Sequence, residues 1–149
     1  MDTHWNHMTS SPVFIAWKPE YELGIPIADE QHRGIVSTIN SLYYAMRNKQ
    51  GEKLLQPVIG MVVEYTRIHF EIEVAILRQC GFPDAEHHNQ LHSELFDTLM
   101  RVGRKSAWDR DPHSFMEFLK AWWISHICDK DRMFRDFLRG RAPRLPDRS

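Results

Sequence analysis

Residues 69–92 read HFEIEVAILRQCGFPDAEHHNQLH, and this stretch decides the fold. Ile72, Val74, Ile76 and Leu77 carry an apolar helical pattern up to Cys80, and Gly81-Phe82-Pro83-Asp84 then breaks it with the residues that stop helices and make tight turns. Beyond the break, Leu91, Leu95, Phe96, Leu99 and Val102 recur at spacings of three and four, so a second helix follows. Two helices joined by so short a turn pack antiparallel. His69 and Glu73 lie four residues apart, as do His88 and His92, which places each pair on one helix face. Leu91, Leu95 and Leu99 flank the side that carries His88 and His92, so these histidines point into the protein.

Working outward, the same periodicity predicts two more helices. Ile35, Val36, Ile39, Leu42, Tyr43 and Met46 mark an amphipathic helix from about Ile25 to Asn48. The helix that holds His69 is expected from about Leu54 to Cys80, with Pro57 in its first turn, and the one that holds His88 from about Asp84 to Ser106. Trp108 to Pro112 reads as a connection. A fourth helix is capped by Asp111, has Pro112 at its first position, and runs to about Arg139, where Gly140 ends it. The expected fold is therefore all-α, an up-down-up-down antiparallel four-helix bundle over residues 25–139. Residues 1–24, with Pro12, Pro19 and Gly24, form an extended N-terminal arm laid over the bundle by Phe14, Trp17 and Tyr21. Residues 140–149 form an Arg/Pro-rich C-terminal tail, which reads as a solvated end or as a linker toward a signalling partner.

Composition narrows the function classes. A chain of 149 residues, 42% hydrophobic and 26% charged, supports one core. Its net charge of -1 gives no field that would draw nucleic acid or an anionic membrane. No apolar run reaches the ~20 residues of a membrane helix, and Met1 to Ser11 has no secretory pattern, so a cytoplasmic protein is expected. Cys80 and Cys128 form no CxxC pair and read as free thiols, in agreement with a reducing compartment.

The nine histidines are the exception to this bland composition. The four expected helices carry, in order, His32; His69 and Glu73; His88 and His92; His126 and Asp131. Imidazoles and carboxylates buried together without a cation would cost several kcal/mol in desolvation. Five imidazoles and two carboxylates exceed one tetrahedral zinc and suit two octahedral ions that share the carboxylates Glu73 and Asp131. His126 and Asp131 are five residues apart, which turns them about 140° from one another on an ideal helix. A π-bulge, rare but concentrated at functional sites, would bring them together. His4, His7, His87 and His113 are not expected to bind metal. Asp29 and Gln31 read equally as partners that orient an imidazole and as an ordinary helix start.

This ordered set, His32, His69-x3-Glu73, His88-x3-His92 and His126-x4-Asp131, resembles the seven-ligand signature of the hemerythrin family, bacterial branch. Trp17, Gly24-Ile-Pro-Ile-Ala-Asp-Glu-Gln-His32, His69-Phe70, Phe82-Pro83 and Trp122-Trp123-Ile-Ser-His126-Ile127 match as well, and the likeness runs from about Phe14 to Leu138. The resemblance implies a non-haem di-iron centre, bridged by carboxylates and by an oxo or hydroxo group. His88, His92 and His126 would hold one iron, His32 and His69 the other, and Glu73 and Asp131 would bridge. It implies reversible dioxygen binding at the vacancy on the iron with two histidines, in a pocket of Ile35, Phe70, Trp122, Ile127 and Cys128. Cys128 stands where a branched aliphatic is expected; it is either a small apolar filler or the mark of a less sealed pocket that autoxidises faster.

The chain has no Glu-x-x-His motif of the kind that carboxylate-rich di-iron oxygenases use, so binding without turnover is expected, and the protein is read as no enzyme. Oxygen storage, or delivery to an oxygen-consuming enzyme, is the first reading. An oxygen- or redox-sensing module read out by a partner or fused domain is the alternative, followed by an oxidase and by a structural zinc protein.

Overall fold

The computed structural model describes residues 14–126, 135–138 and 140. Four helices form an up-down-up-down bundle: α1 (Pro26–Arg47), α2 (Gly51–Gln79), α3 (Ala85–Asp109) and α4 (Pro112–Ile124). Each packs on the next in sequence, and α4 closes the ring against α1. Helical backbone recurs at 135–138 and at Gly140, which was expected to end the last helix.

Apolar side chains define the inner face of every helix. Ile35, Ile39 and Leu42 of α1, Leu55 and Val62 of α2, Leu99 of α3, and Phe115, Leu119 and Trp123 of α4 are all but completely buried in one cluster. At the other end of the bundle Leu23, Ala28, Leu77 and Ala85 form a smaller cluster, with Leu138 packed against it. The histidine-bearing turns lie between the two. Within the larger cluster α3 approaches α2 closely: a Cβ on Gly103 would meet Ile59 Cγ2 at 3.1 Å.

The three interhelical turns share one device. Each helix ends on a residue with left-handed backbone, Lys49 (φ 58), Gly81 (φ 68) and Arg110 (φ 52). The following amide then bonds back to a carbonyl five residues earlier, Gln50 N to Ala45 O (2.7 Å), Phe82 N to Leu77 O (3.0 Å) and Asp111 N to Ser106 O (2.9 Å). This is the hydrogen bond of a Schellman cap. Sequence reading finds such a turn through glycine, and only Gly81 supplies one. That is why sequence reading places the end of α3 too early, at Ser106.

α2 begins at Gly51 rather than near Leu54, and Pro57 lies inside it rather than in its first turn. Gly51 is pressed so tightly between α1 and α4 that an added Cβ would stand 2.8 Å from Met46 Cγ and 3.1 Å from Pro112 Cγ. Pro57 is tolerated because it lies on the exposed face, where water can take the carbonyl that its missing N–H leaves. α3 runs on past Ser106 to Asp109, so Trp108 is helical and not part of a connection. Asp111 caps α4 as expected, with Oδ1 accepting from Ser114 N at 3.1 Å and Oδ2 from Ser114 Oγ at 2.6 Å.

Residues 14–24 lie across α1. Asn40 accepts from the amides of Phe14 and Ile15 (3.0 and 2.9 Å) and donates to Ile15 O (2.9 Å). Phe14 stacks on Tyr43 at 5.4 Å. A 3-10 turn, Pro19–Tyr21, buries Tyr21. Asp29 in the first turn of α1 is buried, and its carboxylate accepts from Leu23 N (2.8 Å) and Gly24 N (3.2 Å). Among the described residues no helix is long and apolar enough to cross a membrane.

Left-handed backbone strains a residue that has a Cβ, and glycine relieves it. Lys49→Gly and Arg110→Gly should each raise stability by about 0.5–1 kcal/mol, seen as a rise of roughly 1–4 °C in Tm. A lower melting temperature in both variants would mean that these side chains contribute more than the strain costs.

Candidate metal centre

Helical geometry brings six of the seven expected ligands into one layer. α1 supplies His32, α2 His69 and Glu73, α3 His88 and His92, and the end of α4 His126, all buried. Two groups have ligand atoms within 4.8 Å of one another: His32, His69, Glu73 and His126, and Glu73, His88 and His92. Glu73 belongs to both. The family resemblance sets His126 beside His88 and His92, and its ligand atom lies within 4.8 Å of those of His32, His69 and Glu73. Its ring lies between the two sets, 5.3 Å from His92 and 5.9 Å from His69.

The seventh residue, Asp131, lies outside the described residues, as do Ile127 and Cys128. At Ser125 and His126 the backbone changes from α-helical to π-helical, at the start of the segment whose five-residue spacing called for such a change.

The nitrogen atoms converge on one carboxylate. His88 Nε2 donates to Glu73 Oε1 at 2.6 Å, and His92 Nε2 is 3.2 Å from the same oxygen. On the other side, His69 Nε2 is 2.8 Å and His126 Nε2 3.8 Å from Glu73 Oε2. Proximity does not make every one of these contacts a hydrogen bond. Glu73 Oε2 and both ring nitrogens of His92 are buried with no hydrogen-bond partner, which ordinarily costs about 1–3 kcal/mol for each such group.

Gln31 sharpens the point. Its Oε1 accepts from His69 Nδ1 at 3.0 Å, and a neutral imidazole that donates from Nδ1 presents a lone pair at Nε2. That lone pair accepts from His32 Nε2 at 2.9 Å and also faces a carboxylate oxygen, which has no proton to give, at 2.8 Å. An imidazole lone pair and a carboxylate oxygen so close to one another are donors for a cation, and the residues fit metal binding.

The protonation states agree. Burial, followed by the positive charge that His69 would carry, pushes the His32 pKa well below the usual value. Burial lowers His92 to about 4 and lowers His126 as well, against the pull of Glu73. Burial opposes the charge on Glu73, yet the imidazoles of His126, His69 and His88 hold its carboxyl well below the usual range. Neutral imidazoles around an ionised carboxylate are the forms that bind a hard or borderline cation.

Among the described candidate pocket residues, Phe70 and Trp122 contact this layer. Ile35 is buried on α1. Phe70 stacks on His92 at 3.8 Å and lies 5.1 Å from His126 and 5.7 Å from His69. Trp122 stacks on His126 at 6.3 Å and commits its indole N–H to Leu95 O at 3.3 Å. Trp123 was not anticipated as a neighbour of the site, yet its ring meets His32 edge to face at 5.1 Å. Its place in a doubled Trp122-Trp123 one turn before His126 was the available signal. Asp29 and Gln31 part company: Gln31 orients an imidazole, and Asp29 fastens the chain at the start of the helix. His87 and His113 are exposed.

Because burial lowers these histidines, the unfolded chain takes up more protons than the folded one below about pH 6.5, so stability of the metal-free protein falls with pH. Glu73 acts in the same direction near and below its usual value of 4.5. Between pH 6.5 and about 4, His92 alone should remove on the order of 3 kcal/mol. Urea unfolding in the presence of a chelator at pH 7, 5.5 and 4 measures this, and a pH-independent midpoint would contradict burial of neutral histidines.

Comparison with known proteins agrees with this geometry. The hemerythrin HHE cation binding domain matches residues 23–138. The bacteriohemerythrin of Stenotrophomonas maltophilia is 29% identical over 126 residues, which cover 82% of this chain and 80% of that protein. That of Pseudomonas aeruginosa is 30% identical over 129 residues, 84% of this chain and 82% of its own. The myohemerythrin of Theromyzon tessulatum is 20% identical over 119 residues, 80% and 89% of the two chains. With the family match spanning the histidine layer and all four helices that carry it, the chain belongs to the hemerythrin family.

Proposed function

We propose that this protein binds dioxygen reversibly at a di-iron centre, in the cytoplasm, as an oxygen store or as a source for an oxygen-consuming enzyme. The observation that carries the reading is the position of Glu73, buried between two donor groups and shared by both. A carboxylate so placed could be shared by two cations. By the family resemblance His88, His92 and His126 would hold one and His32 and His69 the other, with Asp131 as the second shared carboxylate.

A bound iron pair supplies the electrons that reversible oxygen binding requires. The chain's own residues govern the rest. Gln31 fixes the tautomer of His69, so its Nε2 lone pair stays directed at the centre. Ile35, Phe70 and Trp122 shield the layer from water, and Trp122 offers it no free proton because its N–H is engaged by Leu95 O. A site with many neutral imidazoles and few carboxylates stabilises high-valent metal poorly, which favours ligand binding over substrate oxidation and supports a binder rather than an enzyme.

Anaerobic reconstitution with ferrous iron should load two irons per chain and give a coloured form in air that bleaches under argon. Irreversible oxidation on first exposure would favour a redox sensor or an oxidase. Glu73→Gln should lower the load to one iron or fewer per chain while the helical signal in circular dichroism persists. Two irons retained in that variant would remove Glu73 from its bridging role.

A further inference from the structure

We propose that a cleft between α2 and α3 is the port through which a small neutral ligand reaches the centre, and that Phe70 is its gate. The cleft measures about 220 Å³ and is lined by Arg67, Phe70, Asn89, His92, Ser93 and Phe96, among others. Phe70 and His92 both line it, and the Phe70 ring also lies against His69 and His126. The cleft thus meets His92 directly, and the Phe70 side chain separates it from His69 and His126. A rotation of that ring connects them, and the ring is held by stacking, with no hydrogen bond to break.

The lining states the chemistry of what can pass. Phe70 and Phe96 make part of the lining aromatic. At the rim, Arg67 is paired with both Glu64 (2.9 Å) and Glu71 (3.4 Å), and Asp97 adds a further negative charge. Such a mouth opposes anions and admits an uncharged diatomic molecule. This inference rests on the oxygen-binding reading for its ligand but not for its geometry.

Ser93 is exposed at the mouth, where a larger side chain plugs the cleft without entering the core. In stopped-flow measurements on the iron-loaded protein, Ser93→Trp should slow both oxygen association and dissociation by about tenfold or more and leave Kd within about twofold. Ser93→Ala should behave as the parent, and Phe70→Ala should accelerate both steps. Equal slowing of both directions is the mark of a route, since damage to the site itself would change Kd. Unchanged rates in Ser93→Trp overturn the proposal. Xenon-pressurised crystals of the metal-free protein test the cleft without iron: xenon beside Phe70 in the parent, displaced by Ser93→Trp, is expected. That result, with no reversible oxygen binding after iron loading, would sink the functional reading and leave the port. Absence of xenon beside Phe70 in a protein that does not cycle oxygen would overturn the port as well.

Discussion

The bundle is organised by the burial of one carboxylate and the imidazoles around it. Glu73 is fully enclosed, and the nitrogens that approach it at 2.6 to 3.8 Å come from three helices. Left without a cation, such a layer is a liability in a core, because lone pairs meet lone pairs and buried polar atoms stay unmatched. The apolar clusters above and below must outweigh that cost in the metal-free state. The fold thus has stable ends and a middle that metal completes, so metal affinity and folding stability draw on the same contacts.

The ends carry the geometry that the middle needs. The larger cluster fixes the helices around Leu42, Leu55, Leu99 and Phe115, and the Schellman turns set where each helix stops. Ligand positions on an α-helix are known to a fraction of a turn once its neighbours are fixed, so the layer is preorganised by packing several residues away from it. The N-terminal segment adds to this. Through Asn40 it is tied to the middle of α1, and through Asp29 to its first turn, one turn before His32. Asp29 and Gln31, two residues apart on α1, face different tasks because successive side chains on a helix point in different directions. Aromatic rings close the layer, and the cleft between α2 and α3 meets it at His92 and Phe70.

Much of this was legible in the sequence. The i,i+4 pairs His69–Glu73 and His88–His92, the apolar period and the break at Gly81–Asp84 gave two antiparallel helices with inward histidines, and His32 and His126 gave the other two their place at the site. Local rules suffice there, since helical periodicity fixes which residues share a face whatever lies around them. The family signature was legible for the same reason: ligand chemistry constrains residue type at fixed spacing. Tertiary structure decided what local rules leave open. The end of α3 at Arg110 takes left-handed backbone on a residue that does not prefer it. The division of labour between Asp29 and Gln31, the contact of Trp123 with His32, the position of His126 between the two donor groups and the cleft over Phe70 all join residues distant in sequence. Such contacts arise from how four faces meet, and no spacing along one chain encodes the distance between two helices.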